Sequence, residues 1–437
     1  MLKAFSQVFR TPEIRKKLFF TLGILVVFRL GCTIPVPNVN TAAIKECSAM
    51  ALSGDNAGLY GLINLFSGGA LLQLAIFALG IMPYITSSII LQLLTVVIPR
   101  LEALKKEGSS GQQKITQYTR GLTIVLAVLQ ATSFTMMAIN GRMFQNCPNS
   151  VVYSKDIFPI VVMIMTMTAG TGIIMWLGEL ITDRGIGNGM SIMIFTQIVA
   201  QFPASMWSIR NSFPGTRGYL VFAAVIAVGL LVMAGVVFVE QAQRRIPVQY
   251  AKRMVGKRLL GGSTTYIPIK VNQSGVIPVI FASSILYLPV LFTFFKPDGP
   301  VSTWISGHLV SRQEGFWYNS IYFLLIVFFC YFYVSITFNP VEVSDNMKKY
   351  GGFIPGVRAG KPTEEYLGFV LSRLTAPGSL YLGIIALIPT LAILFLGATG
   401  KFPFGGTSLL IMVGVGLDTV KQIESQLHQR HYEGFLK

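Results

Sequence analysis

Few residues in this 437-residue sequence could do enzyme chemistry, and their spacing fits no catalytic or metal site. The cysteines and histidines are Cys32, Cys47, Cys147, Cys330, His308, His428 and His431. They lack the spacing of zinc ligands, and no His-Glu-x-x-His motif occurs. Lys401 follows a glycine, but the other residues of a phosphate-binding loop are missing around it. The sequence therefore predicts no metal, no cofactor and no enzymatic activity.

The residues that do recur with a definite spacing are apolar, and apolar side chains can seal a pore against water and ions. Residues 80–85 and 275–280 both fit Gly-x-x-Pro-x-Ile, and residues 189–194 and 406–411 both fit Gly-x-Ser-h-h-Ile, where h is apolar. Ile81 and Ile85 share a helix face, as do Met190 and Ile194, because four positions separate each pair. If the four segments converge, their side chains form a collar that excludes water and ions but can widen around a passing chain. Patterning alone also fits ordinary core residues, and it favours that simpler interpretation.

The elements that must position these residues are membrane-spanning helices. Hydrophobic residues make up 52% of the chain, charged residues 12%, and mean hydropathy is +0.62, which is typical of a polytopic helical membrane protein. The first apolar run lacks the cleavage site of a signal peptide. Hydropathy predicts ten spans, at residues 18–34, 71–98, 119–139, 157–180, 189–207, 218–240, 274–295, 318–338, 376–396 and 404–420.

The spans divide into two halves with opposite orientations. Each motif occurs twice, five spans apart. Because five is an odd number of spans, the second half has the opposite orientation in the membrane. An even number of spans puts both termini on one side. That side holds 26 of the 35 lysines and arginines, against 8 on the other side. Both termini are therefore predicted to be cytoplasmic.

Residues 56–99 form a charge-free run of 44 residues. As one straight helix the run would be about 66 Å long, roughly twice the thickness of a bilayer core. Gly68-Gly69 is the expected break, because glycine disfavours a helix interior. Residues 57–67 are then too short to span a membrane. A short apolar half-helix at membrane depth must lie inside protein or line a cavity, so this stretch predicts a plug or a lining.

Two large cytoplasmic loops, at 241–273 and 339–375, carry seven and five lysines or arginines. In the first loop, Gly261-Gly262 is the expected turn of a projecting hairpin. The loops could be solvated segments near anionic headgroups. They could also be a docking surface for a large partner, for example a ribosome bound through the phosphates of its RNA. Their length favours docking, because attraction to lipid needs only a short basic run.

Charged residues at the span ends allow a transporter as an alternative. Glu179, Asp183 and Arg184 lie at a predicted interface, where capping or ion pairing is more ordinary than proton handling. Arg29 lies within the first span, and we expect it to snorkel or to bind a backbone carbonyl. An ion-coupled transporter should place ionisable or unwound polar groups at mid-depth, where this sequence has isoleucines. A structural scaffold would leave the plug and the basic loops unexplained.

Over essentially its whole length the sequence resembles the SecY family of bacterial protein-translocation channels. The matching stretches are NLFSGGALLQLAIFALGIMPYITSSIILQLLTVV, KKEGSSGQQKITQYTRG, MWLGELITDRGIGNGMSI, VEQAQRRIPVQYAKR, KVNQSGVIPVIFASS, FNPVEVSDNMKKYGGFIPGVRAG and FGGTSLLIM. The resemblance implies an all-α membrane protein with ten spans in two inverted five-helix halves around a central pore. It places the halves at 1–207 and 218–437, and a hinge at 208–217. The implied function is to translocate unfolded polypeptides across the bacterial plasma membrane and to release transmembrane segments sideways into it.

The resemblance also assigns the pore. The family's pore ring corresponds to Ile81, Ile85, Met190, Ile194, Ile280 and Ile411. Met190 departs from the isoleucine commoner at its position, but methionine is apolar and flexible, so the seal should survive. The plug corresponds to about 57–69. Its residues include Tyr60, Leu62, Ile63, Asn64, Leu65, Phe66 and Ser67.

The gate, the docking sites and the partners follow from the same resemblance. Spans two and three facing spans seven and eight form a lateral gate, with polar residues Thr86, Gln130 and Asn272 at the seam. The residues that correspond to sites for the SecA ATPase or the ribosome are Arg244, Arg245, Lys257, Arg258 and Arg358. SecE, SecG, signal peptides, nascent chains and membrane lipids are the other implied partners.

One prediction is independent of the family. Cys47 and Cys147 both fall on the outer side of the predicted topology, where oxidising conditions permit a disulfide. We predict that they bridge the first two outer loops. Cys32 and Cys330 are expected to be buried free thiols.

Overall fold

The computed structural model describes residues 11–51, 67–141, 150–212, 216–250, 253–255, 258–260, 264–295, 299–305, 316–396 and 406–433. The helices are α1 (Pro12–Gly31), α2 (Thr41–Ala51), α3 (Met82–Val97), α4 (Pro99–Lys106), α5 (Ser109–Ile139), α6 (Ile157–Arg184), α7 (Gly189–Ser212), α8 (Thr216–Gln241), α9 (Ile277–Phe295), α10 (Pro300–Ile305), α11 (Phe316–Thr337), α12 (Pro340–Lys349), α13 (Lys361–Leu396) and α14 (Gly406–Glu433). The strands are β1 (Gln243–Tyr250), β2 (Arg253–Val255), β3 (Arg258–Leu260), β4 (Thr264–Lys270) and β5 (Gly352–Phe353).

Each of the ten predicted spans corresponds to a helix: α1, α3, α5, α6, α7, α8, α9, α11, α13 and α14. Within the described ranges, five helices are long and apolar enough to cross a bilayer. The count rises to six if α3 and α4, which meet at 100°, form one broken span. Shorter apolar helices occupy Gly189–Ala204 and Ile277–Leu286. Hydropathy was therefore a sound guide to the number and order of the main helices.

The two halves pack in corresponding ways. In the first half, α3 packs on α5, α5 on α6, and α6 on α7; in the second half, α9 packs on α11, α11 on α13, and α13 on α14. These two series involve equivalent spans, as a five-plus-five repeat predicts. Among the described residues, two groups of helix contacts between the halves are prominent. On one side α7 packs against α8 and α14, and on the other α9 packs against α3 and α5.

The second predicted span differs from its expected form. A helix was predicted from 71 to 98, but the chain runs through turns from Gly68 to Ile81, and α3 starts only at Met82. The backbone of this segment hydrogen-bonds to the loop that follows α1: the Val36 N–H donates to the Leu74 carbonyl, and the Ile76 N–H to the Ile34 carbonyl, both at 2.9 Å. These non-local bonds replace the helical ones, and Leu74 has a φ of +46°. The prediction of a continuous helix here was wrong.

The two large loops, at 241–273 and 339–375, form one structure. Strand β1 pairs antiparallel with β4, and its far end pairs with β5 of the second loop. Beneath the sheet, Ile246 and Ile269 join Met347, Leu367 and Leu371 in one apolar cluster. Helix α13 begins at Lys361, well before the predicted span start at 376, and so reaches into this cluster. The loops are therefore a folded unit on the helix ends.

A hairpin forms, as predicted, but its turn was assigned to the wrong glycines. Strands β2 and β3 pair with Val255 opposite Arg258, so the chain reverses between these two residues and not at 261–262. Two residues separate the strands there, and Gly256 is the first of them.

Candidate pore and gate

The six apolar residues predicted to form a ring lie together. One hydrophobic cluster contains Ile81, Ile85, Met190, Ile194, Ile280 and Ile411. Ile81, Ile194 and Ile411 are buried within it, and the other three are partly buried. Five of them lie on α3, α7, α9 and α14, two helices of each half, and Ile81 directly precedes α3. The alternative of isoleucines scattered through separate cores does not fit this arrangement.

The Gly-x-x-Pro-x-Ile repeat produces the same backbone geometry in both halves. Gly80 and Gly275 both take left-handed backbone conformations, with φ of +57° and +61°, which glycine tolerates without a steric cost. A proline follows in the first turn of each helix, where its missing N–H is harmless. The N–H of Ile85 donates to the carbonyl of Ile81 at 3.1 Å, and the N–H of Ile280 donates to that of Val276 at 3.3 Å. The motif therefore starts α3 and α9 abruptly and places an isoleucine on each first turn.

The second motif fixes Met190 and Ile194 through a close helix crossing. Gly189 begins α7 against Gly178 of α6, and a Cβ atom built on Gly189 would lie 1.8 Å from the Gly178 carbonyl oxygen. A Cβ on Gly178 would lie 2.5 Å from the sulfur of Met190. The Met190 side chain therefore occupies space that is open only because residue 178 is glycine. Sequence reasoning missed Gly178, although a glycine within an apolar span often marks close helix packing.

Only the C-terminal end of the predicted plug falls within the described residues. Tyr60, Leu62, Ile63, Asn64, Leu65 and Phe66 lie outside them. Ser67 is buried, and its hydroxyl accepts a hydrogen bond from the Leu71 N–H at 3.3 Å. Next to it, Nη1 of Arg29 donates to the Gly68 carbonyl at 3.1 Å. The predicted carbonyl partner of Arg29 is therefore confirmed, and it lies at the expected chain break.

The polar residues of the predicted gate, Thr86, Gln130 and Asn272, are each buried, but the structure shows no direct hydrogen bond joining them. Thr86 donates to the Met82 carbonyl of its own helix at 3.0 Å. Asn272 donates to Glu240 at 2.5 Å and accepts from the Ser274 hydroxyl at 3.0 Å. Glu240 was not predicted as a site residue, although an acidic residue ending an apolar run was a usable signal.

The basic residues predicted for docking lie on the folded unit that the two large loops form. Arg244 and Arg245 on β1 are exposed, as is Arg358 before α13. The Arg358 carbonyl accepts a hydrogen bond from the Thr363 hydroxyl at 2.7 Å, which fixes the local backbone. Arg258 begins β3, and Lys257 lies outside the described residues. Near the end of α6, Glu179 pairs with Arg120 at 2.7 Å, which confirms its ordinary ion-pair role.

The cysteines divide as predicted as far as the structure describes them. Cys32 and Cys330 are buried and free, whereas Cys47 is buried and disulfide-bonded. Cys147 is the remaining cysteine of the sequence and lies outside the described residues. The loops that carry Cys47 and Cys147 are joined nearby: the Asn40 N–H donates to the Val151 carbonyl at 2.9 Å, and the Tyr153 N–H to the Asn38 carbonyl at 3.2 Å.

Comparison with known proteins gives consistent matches. A family model described as SecY matches residues 75–420. The protein translocase subunit SecY of Streptomyces scabiei is 62% identical over 440 residues, covering 100% of both chains. A solved structure that concerns the SecY plug domain, described as stabilising the closed translocation channel, aligns with a TM-score of 0.60 and 20% identity over 94% of this chain and 91% of that one. Sec61 in the canine ribosome-channel complex aligns with a TM-score of 0.58 and 18% identity over the same shares.

Proposed function

We propose, since this chain belongs to the SecY family, that it forms the protein-conducting channel of a bacterial translocase. It is a multi-pass membrane protein that lets unfolded polypeptides cross the plasma membrane and lets transmembrane segments leave sideways into lipid. Both termini lie in the cytoplasm, where the positive charge of the loops is concentrated. The halves, at 1–207 and 218–437, move about the connection at 208–217.

The observation that carries this proposal is the apolar cluster shared by both halves. Aliphatic side chains repel water and make no directional bonds, so they can seal a narrow pore against ions and still yield to a chain. In this protein the six residues that would do so, from Ile81 to Ile411, meet from four helices. A motion that separates the two halves would widen the seal, since each half contributes to it.

The experiment removes side chains from both halves of the seal. The double variant Ile85→Gly, Ile280→Gly should leak ions, with a resting conductance raised on the order of tenfold, because about 1.4 kcal/mol of lost apolar contact changes an equilibrium by that factor. Planar bilayers containing the purified channel complex report this conductance directly. The control variant is Ile124→Gly, Ile384→Gly, which makes the same change at two exposed helix positions. A double ring variant that stays as tight as its control would contradict the pore assignment.

The lateral gate is proposed at the junction of α9 with α3 and α5. Thr86, Gln130 and Asn272 are buried, and hydrogen bonds among polar groups in a membrane help to hold helices together. Glu240 and Ser274 keep Asn272 in place through its amide nitrogen and oxygen. An apolar signal helix that enters this junction would replace protein contacts with its own. The gate would then open toward lipid.

The cytoplasmic unit is proposed as the docking surface for the SecA ATPase and the ribosome. Arg244, Arg245, Lys257, Arg258 and Arg358 would contact acidic side chains or RNA phosphate. Sec61, a structural neighbour, was solved in a ribosome complex, which supports a ribosome as one partner. SecE and SecG are the proposed membrane partners, and signal peptides and nascent chains the substrates.

We also propose that Cys147 is the disulfide partner of Cys47. Exchange with an oxidised dithiol protein on the outer face would form the bond, and that protein would be reduced to its dithiol. Peptide mapping under non-reducing conditions should recover Cys47 and Cys147 in one linked pair, and Cys32 and Cys330 as thiols. Reduction before alkylation is the matched control. Recovery of Cys47 and Cys147 as thiols in the unreduced sample would contradict the pairing.

A further inference from the structure

A buried carboxyl group lies where α8 ends. Glu240 is 8% exposed, and in the described part of the chain it takes part in none of the ion pairs. Its Oε1 accepts a hydrogen bond from Nδ2 of Asn272 at 2.5 Å. Burial of a carboxyl group is costly unless hydrogen bonds compensate for it, so the contact with Asn272 calls for a role.

Asn272 continues this contact into a chain of hydrogen bonds. Its Nδ2 also donates to the Gly275 carbonyl at 3.1 Å, and its Oδ1 accepts from the Ser274 hydroxyl at 3.0 Å. The Ser274 oxygen lies 3.1 Å from Sγ of Cys330. A hydroxyl has one hydrogen to donate, and Asn272 receives it, so the Cys330 thiol is the donor in the last contact. The chain of hydrogen bonds thus runs from Cys330 on α11 through Ser274 and Asn272 to Glu240 on α8.

These hydrogen bonds fix the connection between β4 and α9 at both ends. At its start the Val271 N–H donates to the Ala242 carbonyl at 3.0 Å. The Val271 carbonyl lies against α13, because a Cβ atom built on Gly378 would be 2.7 Å from its oxygen. At the other end Asn272 holds the carbonyl of Gly275, whose φ is +61° and which lies two positions before α9. Each of these partners belongs to the second half.

The equivalent connection in the first half is apolar. The sequence Phe-Ala-Leu at 77–79 is buried ahead of Gly80, where the second half has Asn-Gln-Ser at 272–274 ahead of Gly275. The two halves therefore start α3 and α9 with the same backbone turn but with different side chains. Buried polar networks rigidify the groups that they join when every member is satisfied. The hydrogen-bond chain is thus specific to α9 and is not a product of the repeat.

We propose that Glu240 is a positioning residue that ties the start of α9 to α8 and α11 while the channel opens. Asn272 and Ser274 transmit the tie, and both N–H groups of the Asn272 amide are used inside the second half. Helix α9 then moves with the second half as one body and carries Ile280 of the ring with it. The contacts that separate at the gate are apolar ones, in the cluster that Ile89 of α3 shares with α9. This inference depends on the proposed channel function.

A disulfide tests whether the connection keeps its place during transport. Ser274→Cys puts a second thiol beside Cys330, and Cys32→Ala removes the other free cysteine that the structure describes. The oxidant diamide takes up two electrons and two protons as the thiols join, and peptide mapping measures the linked fraction. The linked complex should transport a radiolabelled precursor into vesicles as well as the same complex after reduction with dithiothreitol.

The parent chain with Ser274, treated with the same two reagents, is the control for this experiment. Arrest of the linked complex that dithiothreitol reverses would overturn the proposal, because the start of α9 would then have to leave α11 during transport. Thiols that stay unlinked after oxidation would contradict the contact between residues 274 and 330 itself.

The resting conductance of the purified channel complex in planar bilayers tests Glu240. Glu240→Ala should raise it roughly tenfold or more, because losing one hydrogen bond to a charged group shifts an equilibrium about ten- to a hundredfold and Ile280 is then held less firmly. Glu240→Gln keeps an oxygen for the Asn272 amide and should leak less than Glu240→Ala. Asp418→Ala is the matched control. It removes a side chain that is 69% exposed from an ion pair with Lys270 at 3.9 Å, and it should stay tight because exposed pairs contribute little.

Combining the two changes separates positioning from a general need for the acidic side chain. In the linked Ser274→Cys channel, Glu240→Ala should add no further leak, because the disulfide replaces the tie to α11. A Glu240→Ala channel that stays tight, or that leaks equally with and without the disulfide, would overturn the proposal. The double glycine variant of the ring is measured alongside. If that variant leaks while Glu240→Ala stays tight, the positioning role fails and the channel function stands; if the ring variant is also tight, the channel assignment itself fails.

Discussion

Replacing Gly189 with alanine should nearly abolish protein export. The new methyl group would lie 1.8 Å from the Gly178 carbonyl oxygen and 2.9 Å from Cβ of Ile181. The first is a backbone atom and the second is a Cβ atom attached directly to the backbone, so neither can move away by side-chain rotation. The helices α6 and α7 would have to separate, and overpacking of this kind costs about 3 kcal/mol or more at the severe end. Met190 and Ile194 follow directly on α7, so the shift would displace two residues of the proposed ring.

The loss of export should depend on which glycine of the α6–α7 crossing is replaced. Gly178→Ala should be milder than Gly189→Ala, because the atom it meets is the flexible end of the Met190 side chain. Gly121→Ala on α5 is the matched control, since nothing lies within 4 Å of its Cβ position. There alanine should stabilise the helix by about 0.5–1 kcal/mol. Export of a secreted reporter and the melting temperature of the purified complex report the two effects.

Normal export by Gly189→Ala, with a melting temperature equal to that of Gly121→Ala, would show that α6 and α7 do not touch at this point. The ring would then lack the support that the structure assigns to it. Loss of export by both Gly189→Ala and Gly121→Ala would instead indicate that the spans are generally sensitive to added methyl groups.

The helices and the repeated motif were predictable because their signals are local, whereas the ring itself was assigned by the family resemblance, since patterning alone favoured ordinary core residues. Ten apolar runs have the length of a span, and the motif ending in Ile85 and Ile280 depends on a glycine and a proline a few positions away. The structure repeats the motif with matching φ values and hydrogen bonds in both halves. Local residue chemistry was sufficient there.

The parts that sequence reasoning missed depend on residues distant in the chain. The turns after Gly68 exist because residues 74 and 76 hydrogen-bond to residues 36 and 34, which no hydropathy window can register. Glu240 reaches Asn272 across 32 positions. The hairpin turn was assigned to Gly261-Gly262 although Gly256 was an equal candidate, because strand register depends on which residues pair. Tertiary contacts decide these features.

A crosslink between α3 and α9 should stop translocation almost completely, because these helices belong to different halves. Ile89 on α3 and Ala282 on α9 are buried in one cluster. Cysteines at these two positions could be joined by a thiol-reactive linker of about 10 Å, the axial separation of packed helices. A chain that crosses the channel must part the halves, and a signal helix must enter between them. A short covalent tie prevents both movements.

The matched control joins two helices of the same half. Ile326 on α11 and Leu382 on α13 are both fully buried in the same cluster. Cysteines there should crosslink without loss of transport, because the second half moves as a body. Both double variants need a background in which Cys32 and Cys330 are replaced, since these thiols are free. Transport of a radiolabelled precursor into vesicles, before and after linking, gives the comparison.

Linker length then reports how far the gate must open. If the halves separate to admit a helix, lengthening the linker at positions 89 and 282 should restore transport progressively, since a packed helix needs about 8–10 Å between axes. Unimpaired transport with the shortest linker would show that transported chains and signal helices do not pass between α3 and α9. The lateral gate would then lie between other helices. Arrest by the control linker as well would mean that the second half itself changes shape. The gate would then open by bending within that half and not by parting the two halves.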